Sequence, residues 1–189
     1  RFMFDTEEGE QITIVTALSG VSIEGAVKNL EAEAPHNDFD TYLALAEAEW
    51  NNQLQRIEVS GGESDDLVNF YTALYHSMLA PTIYSDVDGK YYGPDKQIHQ
   101  AEGWVNYSTF SLWDTYRNVH QLLTLVYPER QTDMIRSMVD MSREWGWLPR
   151  WELYGRETFT MEGDPAIPVI VDSYLKGLRD FDIEVAYEA

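Results

Sequence analysis

The sequence predicts a mainly α-helical fold, and three observations lead to that prediction. Apolar residues recur three and four positions apart along most of the chain. Residues that cap or stop helices flank these stretches. Clear alternation with a β-strand period is confined to a stretch near the front. With 189 residues, the chain is also long enough to bury a core.

The front of the chain combines a strand with two helices. Residues 11–19 carry β-branched side chains at a period near two, which predicts a half-buried strand. Ser22 is the expected N-cap of a short helix through Leu30, and Asp38 is the expected N-cap of a longer one. The longer helix is predicted from apolar residues at helical spacing: Phe39, Leu43, Ala46, Trp50 and Leu54. Residues 56–59 resemble a second short strand that ends in a turn.

Helical spacing resumes at Ser64 and stops before Pro81. Residues 82–107 are rich in Asp, Gly and Tyr and predict an ordered loop, a type of segment that often carries binding residues. Four further helices are expected at residues 111–125, 129–145, 167–176 and 183–189, with Gly146 and Gly177 as stops and Asp182 as a cap. A chain that opens with a solitary strand and stops inside a helix predicts a fragment of a larger protein.

Composition excludes several classes of function. The formal charge of −20 and the isoelectric point near 4.3 disfavour nucleic acid and anionic membranes as partners. A neutral polyhydroxylated ligand is compatible with this negative charge. The absence of cysteine excludes disulfides, a thiolate nucleophile and cysteine-ligated zinc. No apolar run is long enough to cross a bilayer, and the motifs of serine hydrolases and phosphate-binding loops do not occur.

Residues 108–117 have the clearest chemical character, because they place Trp113, Asp114 and Arg117 at a predicted helix start. An indole covers the C–H bonds of a sugar ring, a carboxylate accepts hydrogen bonds from hydroxyls, and a guanidinium donates two parallel hydrogen bonds. The three residues therefore indicate a sugar-binding site. In the alternative interpretation, Trp113 belongs to the core, and Asp114 and Arg117 form a helix-surface ion pair worth about 0.2–0.5 kcal/mol. The local pattern is compatible with both.

A second aromatic and acidic cluster follows the predicted stop at Gly146. Trp147 and Trp151 offer stacking faces, and Glu162 and Asp164 offer carboxylates on a loop before the next helix. Paired carboxylates around a sugar perform glycoside hydrolysis, one as acid and one as base or nucleophile. Alternatively, the two acids only stabilise the N-terminus of that helix, an effect of about 0.3–1 kcal/mol. Spacing alone does not separate these interpretations.

Two candidate metal patterns are incomplete. Asp86, Asp88 and Gly89 resemble the opening of a calcium loop, but the later ligand positions lack the required acids. A glycine-containing turn is therefore favoured. The four histidines do not show the spacing of a metal site, so no metal ligand is assigned to this chain: His36, His76, His99 and His120.

These segments belong to a longer series, which comprises residues 21–24, 29–31, 70–76, 84–91, 108–117, 122–125, 146–151, 163–165 and 172–177. The series resembles glycoside hydrolase family 92, the calcium-dependent exo-acting α-mannosidases. The similarity extends over nearly the whole chain. So many segments in one order are specific, whereas a single Trp-Asp pair also occurs in other helical-toroid glycosidases.

The resemblance implies a two-part enzyme that holds its sugar between an N-terminal β-sandwich and an (α/α)₆ toroid, the six-hairpin glycosidase fold. Residues 1–21 would be the last strand of the sandwich, residues 22–63 a helical linker, and residues 64–189 the first part of the catalytic toroid. The expected fold class is therefore mainly α: a partial (α/α)₆ toroid preceded by a helical linker and a terminal strand of a β-sandwich.

The resemblance also implies inverting, calcium-dependent hydrolysis of terminal non-reducing α-linked mannose from mannosides or N-glycans. The catalytic acid and base and the Ca²⁺ ligands are expected beyond Ala189, so that this chain alone would be inactive. The implied partner is a mannose-containing glycan, without nucleic acid or membrane insertion, in the periplasm or outside a bacterial cell. The expected substrate-binding residues are Trp113, Asp114, Arg117, Trp147, Trp151, Glu162 and Asp164.

Two other functions remain compatible with the residues. Another (α/α)₆ glycosidase, such as an α-glucosidase or trehalase relative, would hydrolyse α-glucosides and leave mannosides intact. A non-catalytic carbohydrate-binding module would bind sugar without calcium or turnover and would fold by itself.

Overall fold

A computed structural model describes all 189 residues of the chain. Helices make up most of its regular structure, so the prediction of a mainly α fold is confirmed. None of them combines the length and the apolar character needed to cross a lipid bilayer. The helices are α1 (Ile23–Glu33), α2 (Phe39–Leu54), α3 (Ser64–His76), α4 (Leu112–Thr115), α5 (Val119–Val126), α6 (Pro128–Trp145), α7 (Ala166–Leu175) and α8 (Ile183–Glu188).

Helix ends follow the local signals in the sequence. The Ser22 hydroxyl accepts a hydrogen bond from the Gly25 N–H at 2.9 Å and caps α1 as predicted. The carboxylates of Asp38 and Asp182 accept from backbone N–H groups in the first turns of α2 and α8. Gly146 ends α6 with a φ of 98°, a left-handed conformation that favours glycine. These helix ends were predicted correctly because a cap involves only residues that are close together in the chain.

The strand predicted at residues 11–19 does not form. A strand needs a neighbour to pair with its N–H and C=O groups, and no other strand lies beside this segment. Residues 56–59 also lie outside any strand. Both strand predictions are wrong for this chain, because alternation of side chains carries no information about a pairing partner. The assignment of residues 1–21 to a sandwich domain stays a prediction.

The loop predicted at residues 82–107 is ordered and contains short strands. The strands of the chain are β1 (Thr82–Ile83), β2 (Lys90–Tyr92), β3 (Ile98–Gln100), β4 (Tyr107–Ser108), β5 (Phe110–Ser111) and β6 (Trp151–Glu152). They form three antiparallel pairs, β1 with β4, β2 with β3, and β5 with β6. The third pair joins two segments that are distant in the sequence.

The helix predicted at residues 111–125 is divided into α4 and α5. Asn118, with a φ of −146°, leaves the helical region just before α5 begins. Arg117 therefore lies in the turn between the helices and not on the same helix as Asp114. The break has no signal in the sequence, because neither glycine nor proline marks it.

The core lies where α5, α6 and α7 pack against each other and against the strands around β5. A buried polar network joins these helices. His120 Nδ1 lies 3.0 Å from Gln131 Oε1, Gln131 Nε2 donates to Ser173 Oγ at 3.3 Å, and that hydroxyl lies 3.1 Å from Thr124 Oγ1. Burial lowers the pKa of His120, because the charged imidazolium is poorly solvated there. Apolar side chains without solvent exposure in this core include Phe110, Leu112, Tyr127, Ile135, Met138 and Val169.

Candidate functional site

The two sequence clusters meet at the β5–β6 pair. Ser111 pairs with the half-buried Trp151, and the Leu112 N–H donates to the Arg150 carbonyl at 3.2 Å. Because α4 begins directly after β5, Trp113 follows within two residues of the position paired with Trp151. The fold therefore brings residues 113–117 close to Trp151 on β6.

Glu152 is buried inside this junction and accepts hydrogen bonds from the segments around it. It is 2% exposed, and its Oε1 accepts from the Ser108 hydroxyl at 2.8 Å and from the Gly155 N–H at 2.5 Å. Its Oε2 accepts from the Thr109 N–H at 2.9 Å. Burial raises the pKa of Glu152, and these hydrogen bonds oppose that shift. One carboxylate thus connects the chain before β5 to the turn after β6.

Glu157 fixes the adjoining loop in a similar way. Its carboxylate accepts from the Arg150 N–H at 2.7 Å, the Trp151 N–H at 3.1 Å and the Phe159 N–H at 3.0 Å. Neither Glu152 nor Glu157 is among the predicted site residues. A glutamate on a two-residue strand or a loop has no sequence signal that separates a buried acceptor from a surface acid, so both were missed.

The backbone around these acids adopts strained conformations. Thr109, Tyr154, Phe159 and Met161 have φ values of 69°, 50°, 57° and 65°. Only one other non-glycine residue in the chain, Lys96, has a positive φ. Such conformations persist where the surroundings determine them, and they concentrate at binding and catalytic sites. Their concentration here favours a functional role for this region.

Trp113, Asp114 and Arg117 stand at the surface beside this junction. The indole of Trp113 is 46% exposed, which is inconsistent with the core interpretation. The Ser111 hydroxyl donates to the Asp114 carboxylate, and Arg117 Nε donates to the Tyr116 hydroxyl at 2.7 Å. Asp114 and Arg117 therefore do not form the alternative ion pair with each other. A pocket shared by the two side chains stays a prediction.

Arg150 connects the second cluster. Its Nη1 donates to the Met161 carbonyl at 3.1 Å, and its Nη2 lies 3.6 Å from Asp164 Oδ1. Trp147 is 69% exposed and shares a cavity of about 60 Å³ with Asp164, whereas Glu162 is exposed and does not line it. The other residues that line this cavity are Trp145, Leu148, Arg150, Glu157 and Phe159.

In the alternative interpretation, Glu162 and Asp164 only stabilise the N-terminus of the helix that follows them, which is α7. The N-cap position is occupied by Pro165, and no side chain caps the helix by a hydrogen bond. Asp164 contributes through its backbone, because its carbonyl accepts from the Ile167 N–H at 3.2 Å. The side chains of Glu162 and Asp164 both remain exposed, and that of Asp164 is paired with Arg150.

The carboxylates of the incomplete calcium loop are bonded to other groups of the protein. The buried Asp86 carboxylate accepts from the Ser19 hydroxyl at 2.6 Å and from Asn29 Nδ2 at 2.8 Å. Asp88 pairs with Lys28 at 2.8 Å, and a hydrogen bond from that ammonium lowers the pKa of Asp88 to about 2. Both carboxylates already have partners, so this loop does not fit calcium, which takes six to eight oxygen ligands. The loop instead attaches the front of the chain to the β1–β2 connection.

Comparison with known proteins identifies relatives of this fold. Residues 25–189 match the sequence profile of the glycosyl hydrolase family 92 catalytic domain. A family GH92 α-mannosidase of Bacteroides thetaiotaomicron is 39% identical over 90% of this chain, with a TM-score of 0.84, and the same enzyme was solved in complex with mannoimidazole. A family GH92 inverting mannosidase of that species is 33% identical over 90% of this chain, with a TM-score of 0.85. The sequence matches no curated protein.

The chain covers only 23% of the length of each of these two mannosidases. Within that part, the likeness includes the β5–β6 junction and both aromatic and acidic clusters, since the family profile extends from residue 25 to residue 189. The chain therefore belongs to glycosyl hydrolase family 92.

Proposed function

We propose that this chain supplies part of the sugar subsite of an enzyme that hydrolyses terminal non-reducing α-linked mannose from mannosides or N-glycans, with inversion and with calcium. In this proposal, residues 64–189 are the first part of an (α/α)₆ toroid, residues 22–63 a linker and residues 1–21 the end of a β-sandwich. The catalytic acid and base follow Ala189. The enzyme acts in the periplasm or outside a bacterial cell.

The proposed site residues would make different kinds of contact with the sugar. Trp113 offers an indole face to a pyranose ring, and Asp114 accepts hydrogen bonds from sugar hydroxyls. Arg117 donates to neighbouring oxygens through its planar guanidinium. Trp147 and Trp151 add further apolar faces, and Glu162 and Asp164 add acceptors on the loop before α7. Calcium, when bound elsewhere in the enzyme, would help to bind and distort the terminal mannose.

One observation carries the proposal: two solved structures that resemble this segment are a family GH92 α-mannosidase and a family GH92 inverting mannosidase. They align with 90% of the chain at TM-scores of 0.84 and 0.85, and one of them binds mannoimidazole. The residue types at the β5–β6 junction suit a neutral sugar, and the charge of −20 disfavours anionic ligands.

The test is hydrolysis of an aryl α-mannoside by the full-length protein that contains this chain, with the released sugar followed by NMR. We expect turnover and initial release of β-mannose, since inversion at an α-linkage produces the β-anomer. Turnover of the matched α-glucoside without the mannoside would identify another type of glycosidase. Binding of mannose without turnover would identify a carbohydrate-binding module. Either of these two results would contradict the proposal.

The calcium part of the proposal has its own test. Because Asp86 and Asp88 are already paired within the protein, we expect the 189-residue chain to bind calcium only weakly, through its overall acidity. Isothermal titration in about 0.15 M salt, which screens charges beyond about 8 Å, should show no saturable site. Chelation of calcium should abolish hydrolysis by the full-length enzyme. A saturable micromolar site in the chain that Asp86→Asn abolishes would place the metal here.

A further inference from the structure

Three side chains with metal-binding groups converge away from the proposed sugar subsite. Asp95 and His99 lie on the β2–β3 hairpin, and Glu144 lies in the last turn of α6. His99 Nε2 is 3.0 and 3.1 Å from the two carboxylate oxygens of Asp95, and His99 Nδ1 is 3.7 Å from Glu144 Oε1. One ligand atom from each residue lies within 4.8 Å of the others. Ligands of a zinc ion lie roughly 3.3–3.6 Å apart, and the ion binds a single ring nitrogen. Because Asp95 lies beside Nε2 and Glu144 beside Nδ1, binding would require rotation of His99 and of a carboxylate to bring all three groups to one ion.

The Glu144 carboxylate is buried and only partly hydrogen-bonded within the protein. Its side chain is 5% exposed, and Oε1 accepts a hydrogen bond from the Tyr91 hydroxyl at 2.7 Å. The other oxygen, Oε2, is buried and has no hydrogen-bond partner in the protein. Buried carboxylate oxygens are normally hydrogen-bonded, paired with a charge or bound to a metal, because their desolvation is costly.

Gly93 packs closely against the three side chains. A Cβ atom on this residue would lie 2.6 Å from Glu144 Oε2, 2.7 Å from His99 Cδ2 and 2.9 Å from Asp95 Oδ1. Any side chain at this position would therefore displace the three groups, so glycine allows them to converge here. The unpartnered Oε2 of Glu144 lies closest to this point, beside His99 and Asp95.

The chemistry of the ligands selects the class of ion. One imidazole nitrogen and two carboxylates form a mixed nitrogen and oxygen set, which suits Zn²⁺ and related transition metals, with water in the fourth position. Calcium prefers six to eight oxygen ligands. The Tyr91 hydroxyl orients Glu144, and the Tyr91 ring stacks on His99 with centroids 5.6 Å apart. We propose that Asp95, His99 and Glu144 bind a divalent transition-metal ion, of which Zn²⁺ is the best fit.

The position of this site gives the ion a structural role. It would fasten the β2–β3 hairpin to the end of α6, two residues before Gly146. The same hairpin packs closely against the turn after β6, because a Cβ atom on Gly155 would lie 2.8 Å from the Tyr92 carbonyl oxygen. The metal would therefore stiffen the support of the junction that Glu152 holds. This inference does not depend on the proposed function, and its test needs no sugar.

The test is zinc binding by the chain after removal of metal with a chelator and dialysis. Isothermal titration with Zn²⁺ should show one saturable site per chain, and Zn²⁺ should raise the midpoint of thermal unfolding. We expect His99→Ala to lower Zn²⁺ affinity by at least roughly a hundredfold. Tyr91→Phe should lower it by about 10–100-fold, as is typical for loss of a group that orients a ligand. His36→Ala, which removes an exposed histidine between α1 and α2, should leave the affinity unchanged.

Asp95→Asn is the second variant, because Asp95 lies on a hairpin with a side chain 26% exposed and can change without disturbing the core. It should also weaken Zn²⁺ binding strongly while thermal unfolding of the metal-free chain changes little. The proposal would be overturned by absence of a saturable zinc site in the wild-type chain. Equal zinc affinity in the Asp95→Asn, His36→Ala and wild-type chains would overturn it too.

Discussion

Replacement of Asp114 by alanine is expected to lower kcat/KM for an α-mannoside by roughly tenfold to a hundredfold in the proposed full-length enzyme. The carboxylate is exposed on α4 beside the indole of Trp113, and Ser111 is its hydrogen-bonding neighbour in the protein. Its remaining acceptor positions are available to sugar hydroxyls. A hydrogen bond to a charged group contributes about 1.5–3 kcal/mol, which sets the size of the expected loss. Initial rates with an aryl α-mannoside at several concentrations measure it.

Two further variants separate sugar recognition from folding. Asp114→Asn retains one acceptor oxygen and should lose less activity than Asp114→Ala. Asp40→Ala removes an equally exposed acid from the first turn of α2, far along the chain from the site, and should retain full activity. An unchanged kcat/KM for Asp114→Ala would show that this carboxylate does not contact the sugar.

The sequence predicted those parts of the fold that depend on near neighbours. The caps at Ser22, Asp38 and Asp182 were predicted correctly, because a cap needs only a side-chain oxygen and the N–H groups of the next turn. The end of α6 at Gly146 was predicted for the same reason, since a left-handed residue favours glycine wherever it occurs.

Interactions between distant segments were not predictable from the same signals. The strand at residues 11–19 was predicted from alternation, yet a strand depends on a partner that alternation does not reveal. The pairing of Ser111 with Trp151 was not predicted, because strands of two residues have no period to detect. The turn at Asn118 was missed for a related reason: the apolar spacing continues through it.

Several side chains of the candidate site were singled out from the sequence, whereas the groups that support them were not. That these side chains bind a sugar stays a prediction. Residue type alone drew attention to Trp113 and Trp151, and the fold brings their segments together. The groups that fix those two segments are acids that accept backbone hydrogen bonds. Their role depends on their burial, which only the folded chain reveals. Glu152 and Glu157 therefore escaped notice. His99 was considered but given no role, because its two carboxylate neighbours lie 4 and 45 positions away along the sequence.

Glu152→Ala is expected to lower the free energy of unfolding by about 3 kcal/mol. The change leaves three donors without an acceptor: buried ones on Ser108 and Gly155 and a partly buried one on Thr109. Each buried donor left unpaired costs about 1–3 kcal/mol. The chain also recovers the desolvation cost of the carboxylate, the same cost that raises the pKa of Glu152, so the net loss is smaller than the sum. Thermal unfolding followed by circular dichroism should show a midpoint lowered by roughly 10 °C.

The position of Glu152 makes this loss diagnostic of the β5–β6 junction. Glu162→Ala removes the same kind of side chain from an exposed position ten residues further along, and its effect on the free energy of unfolding should stay within about 0.5 kcal/mol. Glu152→Gln keeps the size of the side chain and one acceptor oxygen, so its midpoint should fall between those of Glu152→Ala and wild type. If Glu152→Ala unfolded at the same temperature as Glu162→Ala, water would be satisfying the three donors, and the junction would not depend on this carboxylate.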